Sequence, residues 1–210
     1  MSDNKNLTHN SKKDFLKNPV EHIDITSFDA RKIISSMEKM SFVSRETANA
    51  AGIFNEMIQD KDCTIFLTLA GSTSAAGCMN IYKDLVKYNM VDAIIATGAS
   101  IVDMDFFEAL GFKHYQGSQF QDDTELRNNY IDRIYDTYID EEELQMCDKI
   151  ISEIADTLEP RSYTSREFIY EMGKYLKKNS KKKGILIIAL CFFFPFLLVM
   201  SCLPSFVPYF

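Results

Sequence analysis

Thr64-Ile65-Phe66-Leu67-Thr68-Leu69-Ala70 runs into Gly71-Ser72-Thr73-Ser74-Ala75-Ala76-Gly77, and Val91-Asp92-Ala93-Ile94-Ile95-Ala96 runs into Thr97-Gly98-Ala99-Ser100. Each begins as a short apolar run and ends in small residues, the pattern of a buried strand followed by a tight loop. Between them lies one helix-length segment, Cys78 to Asn89. Strand, helix and strand in this order form a βαβ unit. In an open parallel sheet, ligands bind outside the carboxyl ends of the strands, where both loops fall. Small residues let backbone N–H groups approach a phosphate, and a following helix N-terminus favours an anion. The stretch predicts an α/β fold with a parallel sheet and a bound nucleotide or dinucleotide.

Upstream, Phe28 to Met40 and Ser41 to Ile58 carry apolar residues at helical spacing, and Asp60-Lys61-Asp62 breaks the second helix before the first strand. Residues 1–19 are polar and lysine-bearing and are expected to form a mobile arm ending at Pro19. Downstream, a helix from Asp103 to Leu110 ends at Gly111, which suits the left-handed C′ position. Phe112 to Phe120 reads as a loop, Asp122 to Leu126 as a capped helix start, and Arg133 to Ile139 as one extended segment. Asp140 to Leu158 and Ser165 to Leu176 are further helices. Thr164 or Ser165 caps the second, with Glu167 in its first turn.

A chain of 210 residues with 46% hydrophobic residues is long enough and apolar enough for one globular domain. Its net charge of −7 argues against general nucleic-acid binding. Five cysteines, an odd number without a C-x-x-C pair, give no disulfide framework and no zinc site. A reducing cytoplasm is the expected compartment, and no secretory signal opens the chain. His9, His22 and His114 are too scattered for a metal site. His114 reads as a solvated loop residue with some chance of touching a ligand.

From Gly184 to Phe210 no residue is charged, and Lys181, Lys182 and Lys183 stand immediately before. Residues 185–203 match the roughly 20 residues that cross a bilayer, and the lysines would hold that end in the cytoplasm. A membrane-associated chain is therefore the alternative localisation.

At the two loops the chain resembles the deoxyhypusine synthase family, especially its bacterial and archaeal members. Phe66 to Gly71, Leu85-Val86-Lys87-Tyr88-Asn89-Met90-Val91-Asp92 and Ala96-Thr97-Gly98-Ala99 carry the resemblance. Met40 to Arg45, His114 to Ser118, Asp122 to Arg127 and Ile131 to Ile134 extend it. The match runs from about Pro19 to Ala189.

The resemblance implies a Rossmann-like sheet with flanking helices, NAD as cofactor, and a homo-oligomer. In the family, NAD takes a hydride from spermidine. A lysine of the enzyme carries the aminobutyl group as an imine, and the acceptor is a lysine of the translation initiation factor 5A precursor or a small amine. Carried over by position, Gly71, Ser72 and Ala75 of the first loop and Thr97, Gly98 and Ala99 of the second are cofactor-contacting. Asp103 is the remaining carboxylate of a family acidic pair, placed to accept from ribose hydroxyls. Ser72 and Ala75 stand where many members have Asn and Ser.

The family continues beyond Ala189 with the acids and histidine that bind spermidine, a further glycine-rich loop and the imine-forming lysine. Here Leu190-Cys191-Phe192-Phe193-Phe194-Pro195 follows, without the period of the family's strand and helix. The resulting division is a polar arm (1–19), a partial NAD-binding domain (20–183) and an apolar tail (184–210), the tail being a frameshift product or a membrane segment. Lys174, Lys177 and Lys178 belong to a solvated charge run and are not nucleophile candidates. The chain reads as a truncated transferase, inactive alone, with a non-catalytic tail-anchored or partner-binding paralogue as the alternative.

Overall fold

Helices come first within residues 10–181 and 197–201, the part of the chain that the computed structural model describes. α1 (Lys12–Phe15), α2 (Arg31–Met37) and α3 (Phe42–Gln59) precede every strand. Residues 10–19, expected to trail as an arm, are instead packed. Phe15 is buried and meets Tyr138 edge-on, with ring centroids 5.9 Å apart. Lys12 Nζ pairs with Asp140 and Glu142, each at 2.6 Å. One buried phenyl ring contributes about 2 kcal/mol, enough to dock a short polar segment. α3 spans the expected length, yet Phe42, Val43 and Ile53 are exposed, and of its predicted apolar face Phe54 and Met57 pack on the core.

β1 (Phe66–Leu69) leads through a π-helical turn, Ser74–Cys78, into α4 (Met79–Lys87) and then β2 (Ala93–Thr97). β1 and β2 are parallel, from Phe66 opposite Ala93 to Leu69 opposite Ala96. This is the predicted βαβ unit. Asn89 takes a left-handed φ of 54° just after α4, and Asp92 accepts from the Ile65 amide at 2.7 Å, tying the two strand starts together. Phe66 is more than half exposed, so β1 behaves as an edge strand.

After β2 comes a continuous helical run: α5 (Gly98–Ser100), a π-helical stretch Ile101–Phe106 and α6 (Phe107–Ala109). It begins five residues before the predicted start at Asp103. Ile101, Met104, Phe106 and Phe107 are fully buried, which makes this run the axis of the core. Gly111 ends it at φ 103°, the left-handed conformation expected there.

A second sheet follows: β3 (His114–Gln116), α7 (Asp123–Asn128), β4 (Ile131–Ile134) and β5 (Thr137–Asp140), antiparallel in the order β3-β5-β4. The expected loop over Phe112 to Phe120 thus contains a strand. The single extended segment over Arg133 to Ile139 is a hairpin turning at Tyr135 and Asp136. Tyr135 takes the left-handed φ of 58° usually given to glycine or asparagine, so the turn carries no composition signal. α8 (Glu141–Asp156) is capped by Asp140, and α9 (Ser165–Asn179) by a Thr164–Glu167 capping box. They bury Cys147, Ile151 and Ile154, and Ile169, Met172 and Leu176.

β6 (Leu197–Ser201) pairs parallel with the other side of β2, giving the order β1-β2-β6. The tail's period disfavours a strand of this sheet, but strands of parallel sheets read as continuous apolar runs rather than alternating ones. Most of the expected membrane segment, 185–203, lies outside the described residues. Among those described, no helix is long and apolar enough to cross a membrane.

Candidate functional site

The two loops touch. A Cβ built on Gly71 would lie 3.3 Å from Ala99 Cβ and 3.4 Å from Thr97 Oγ1. Ser100 Oγ donates to Ala70 O at 3.1 Å and ties the start of the second helical run to the end of β1. Six of the seven residues expected at the site, Gly71, Ser72, Ala75, Thr97, Gly98 and Ala99, therefore belong to one pair of adjoining loops. Ser72 has φ 73°, a conformation that costs a non-glycine residue about 1 kcal/mol. Thr73 follows in the right-handed helical region, and such turns direct successive N–H groups to one side.

Two hydroxyls here are orphaned. Thr97 Oγ1 and Ser74 Oγ are buried without a hydrogen-bond partner among the described residues. Thr73 is satisfied, since its Oγ1 accepts from Tyr82 at 2.8 Å. The Ala75 side chain is buried, so only its backbone is available to a ligand. Ala75 and Ala76 also border an open cleft of about 780 Å3, lined in addition by Pro19, Glu21, Gln116 and Asp136.

Asp103 stands apart from the loops. It lies four residues beyond Ala99 on the second helical run, and no side-chain hydrogen bond among the described residues joins it to either loop. Burial first, and then Asp148 of α8, push its carboxyl up to about 6, with His114 acting in the opposite sense. An acid whose folded pKa exceeds the unfolded 3.8 loses stability as pH rises through the interval between them. Asp103→Asn is expected to stabilise the fold by about 1–2 kcal/mol at pH 8 and to be neutral near pH 3.5. Urea unfolding at both values checks this. Equal effects at the two pH values would contradict it.

A buried polar cluster sits beneath the second helical run. Glu108 Oε2 lies 2.6 Å from His22 Nε2, and Glu108 Oε1 lies 2.8 Å from His114 Nδ1. Burial would raise the Glu108 pKa, but the hydrogen bonds from His114 and His22 outweigh it and hold the carboxyl at about 2. His114 is buried against Phe107, not the solvated loop histidine the sequence suggests. Sequence reading misses this cluster, as it misses Ser74. Asp105 and Glu108 lie within an almost wholly buried helical run, and a carboxylate in such a run needs a buried partner. That signal becomes readable only once the run is known to be central. Among the described residues no group of His, Cys, Asp and Glu is arranged to hold a metal ion.

The deoxyhypusine synthase family model matches residues 32–191, which include both loops, Asp103, Glu108 and His114. The chain belongs to the deoxyhypusine synthase family. It is 67% identical over 181 residues to a deoxyhypusine synthase-like protein of Coxiella burnetii, covering 86% of this chain and 51% of that one. A deoxyhypusine synthase-like protein of Caulobacter vibrioides is 65% identical over 182 residues, covering 86% and 50%. The chain thus spans about half the length of the curated relatives it matches. The crystal structure of a candidate deoxyhypusine synthase from Entamoeba histolytica superposes with a TM-score of 0.56 at 17% identity, over 85% of this chain and 61% of that one. That likeness supports the fold.

Membership of the deoxyhypusine synthase family directs attention to lysines. None among the described residues is buried. Lys174 pairs with Glu171 at 2.6 Å, and Lys177 and Lys178 are exposed in the last turn of α9. A nucleophilic lysine needs desolvation or a neighbouring cation to lose its proton near neutral pH.

Proposed function

We propose that the adjoining loops hold the phosphates of NAD, and that the chain is the cofactor-binding part of a deoxyhypusine-synthase-type transferase. That enzyme moves an aminobutyl group from spermidine to a protein lysine or a small amine. The observation that carries the reading is the pair of buried hydroxyls, Ser74 Oγ and Thr97 Oγ1, one on each of two touching loops and both without a partner among the described residues. A buried hydroxyl without a partner costs about 1–3 kcal/mol. A phosphate oxygen between the loops would accept from both and remove that cost. Gly71, Gly98 and Ala99 present nothing larger than a methyl group, so the backbone amides of Ser72 and Ala99 can approach closely. Asp103, ionised above about pH 6, would accept from ribose hydroxyls. When bound, NAD supplies the hydride acceptor.

Catalysis also needs a desolvated lysine and acids that hold the cationic amine. No lysine among the described residues meets that need, so the 210-residue chain alone is expected to form no NADH with spermidine. A chimera joining residues 1–181 to the second half of the Coxiella burnetii relative is expected to form NADH and to incorporate labelled spermidine into an acceptor. A folded chimera without spermidine-dependent NADH would contradict the transferase reading. Turnover by the unextended chain would contradict the expectation that it is inactive.

A further inference from the structure

Residues 18–23 cross the molecule between its two sheets. At one end Gln116 N donates to Asn18 O at 2.7 Å and Val20 N donates to His114 O at 2.8 Å, which adds the segment to the edge of β3. At the other end Ile23 N donates to Gly77 O at 3.0 Å and Asn80 Nδ2 donates to His22 O at 3.4 Å. Those two bonds fasten the segment to the helix after the first loop. The His22 ring reaches the opposite way, to Glu108 in the helical run after the second loop. His22 and Ile23 therefore touch both post-loop helices. The fit is close on the first side, since Gly77 has φ 96° and a Cβ there would lie 3.0 Å from Glu21 O.

We propose that residues 18–23 form a strap that sets the separation of the two loops, with His22 a positioning residue acting through Glu108. The geometry stands by itself, and its consequence for binding rests on the twin-loop NAD reading. A carboxylate can accept from both rings, from His22 through Nε2–H and from His114 through Nδ1–H. In those tautomers the opposite nitrogens, His22 Nδ1 and His114 Nε2, are buried lone pairs without partners among the described residues. The clamp is fully formed without a second acceptor. Its closure draws the first loop, through Gly77, toward the helix that carries the second.

Hydrogen exchange on the full chain tests the strap. In His22→Ala the amides of Ile23, bonded to Gly77 O, and of Ala76, bonded to Ser72 O at 3.2 Å, are expected to exchange at least about tenfold faster. The β2 amides of Ile94 to Ala96 are expected to keep their protection. His22→Gln, whose side-chain N–H can still donate to Glu108, is expected to restore native exchange. NAD affinity is expected to fall about tenfold in His22→Ala and to recover in His22→Gln.

Unchanged exchange at Ile23 and Ala76 would overturn the strap. So would equal acceleration throughout β2, or no rescue by His22→Gln. Faster loop exchange with unaltered NAD affinity would overturn the positioning role. If NAD leaves the native loops unperturbed, the cofactor reading fails separately, and the exchange pattern still decides the strap.

Discussion

Glu108→Ala is expected to lower the unfolding free energy by about 3 kcal/mol or more at pH 7. The substitution takes away the hydrogen-bond partner of two imidazoles, one wholly buried and one nearly so, and opens a cavity beneath the core helix. Glu108→Gln keeps one acceptor and the volume, and is expected to cost about 1–2 kcal/mol. The sign of the pH dependence follows from the depressed carboxyl. Its folded pKa of about 2 lies below the ordinary 4.5, so its contribution is complete above pH 4.5 and disappears as pH falls through 2. The difference between native and Glu108→Ala proteins should therefore shrink in strong acid. Denaturant unfolding followed by circular dichroism measures both quantities. A loss below about 1 kcal/mol at pH 7 would show that the cluster is not an anchor of the fold.

The parallel unit was legible in the sequence because its signals are local. Apolar runs at Thr64–Ala70 and Val91–Ala96 end in small residues, and the spacing leaves room for one helix. The caps of α7 and α9 and the glycine stop at Gly111 are equally local and were equally readable. The antiparallel sheet was not, since β3 is a three-residue strand and its neighbouring hairpin turns on Tyr135. The His22–Glu108–His114 cluster was not legible either. Its members are separated by 86 and 6 residues and meet only through tertiary packing. His22 lies where the sequence suggests the start of a domain, and nothing nearby announces that it is a bridge. The adjacency of the two loops was readable because both follow neighbouring parallel strands, while the individual positions assigned to a cofactor came from the family resemblance. Asp103 came from the family resemblance, and the fold turns its electrostatics toward Asp148 and α8.

Gly71→Val is expected to have the largest effect on cofactor binding. The added Cβ alone would sit 3.3 Å from Ala99 Cβ and 3.4 Å from Thr97 Oγ1, and the two further methyl groups must push the loops apart. Separation removes the close approach that a phosphate between the loops requires. NAD binding should fall at least about tenfold, while stability falls by about 1–3 kcal/mol through overpacking. Gly71→Ala, which adds only the Cβ, is expected to weaken binding less. The graded series separates crowding of the site from a general loss of structure. Equal affinity in the native and Gly71→Val proteins would remove these loops from the binding site.

The most direct measurement is an NMR titration of the native chain with NAD, followed at the backbone amides. With two loops of a larger site present, affinity is expected to be roughly millimolar, about −4 kcal/mol. The amides of Gly71 to Ala75 and Thr97 to Ala99 should shift together along one saturating curve, and Gly71→Val should abolish those shifts. Saturating shifts confined to other residues, or none in the loops at about ten times that concentration, would contradict the assignment of this site to NAD.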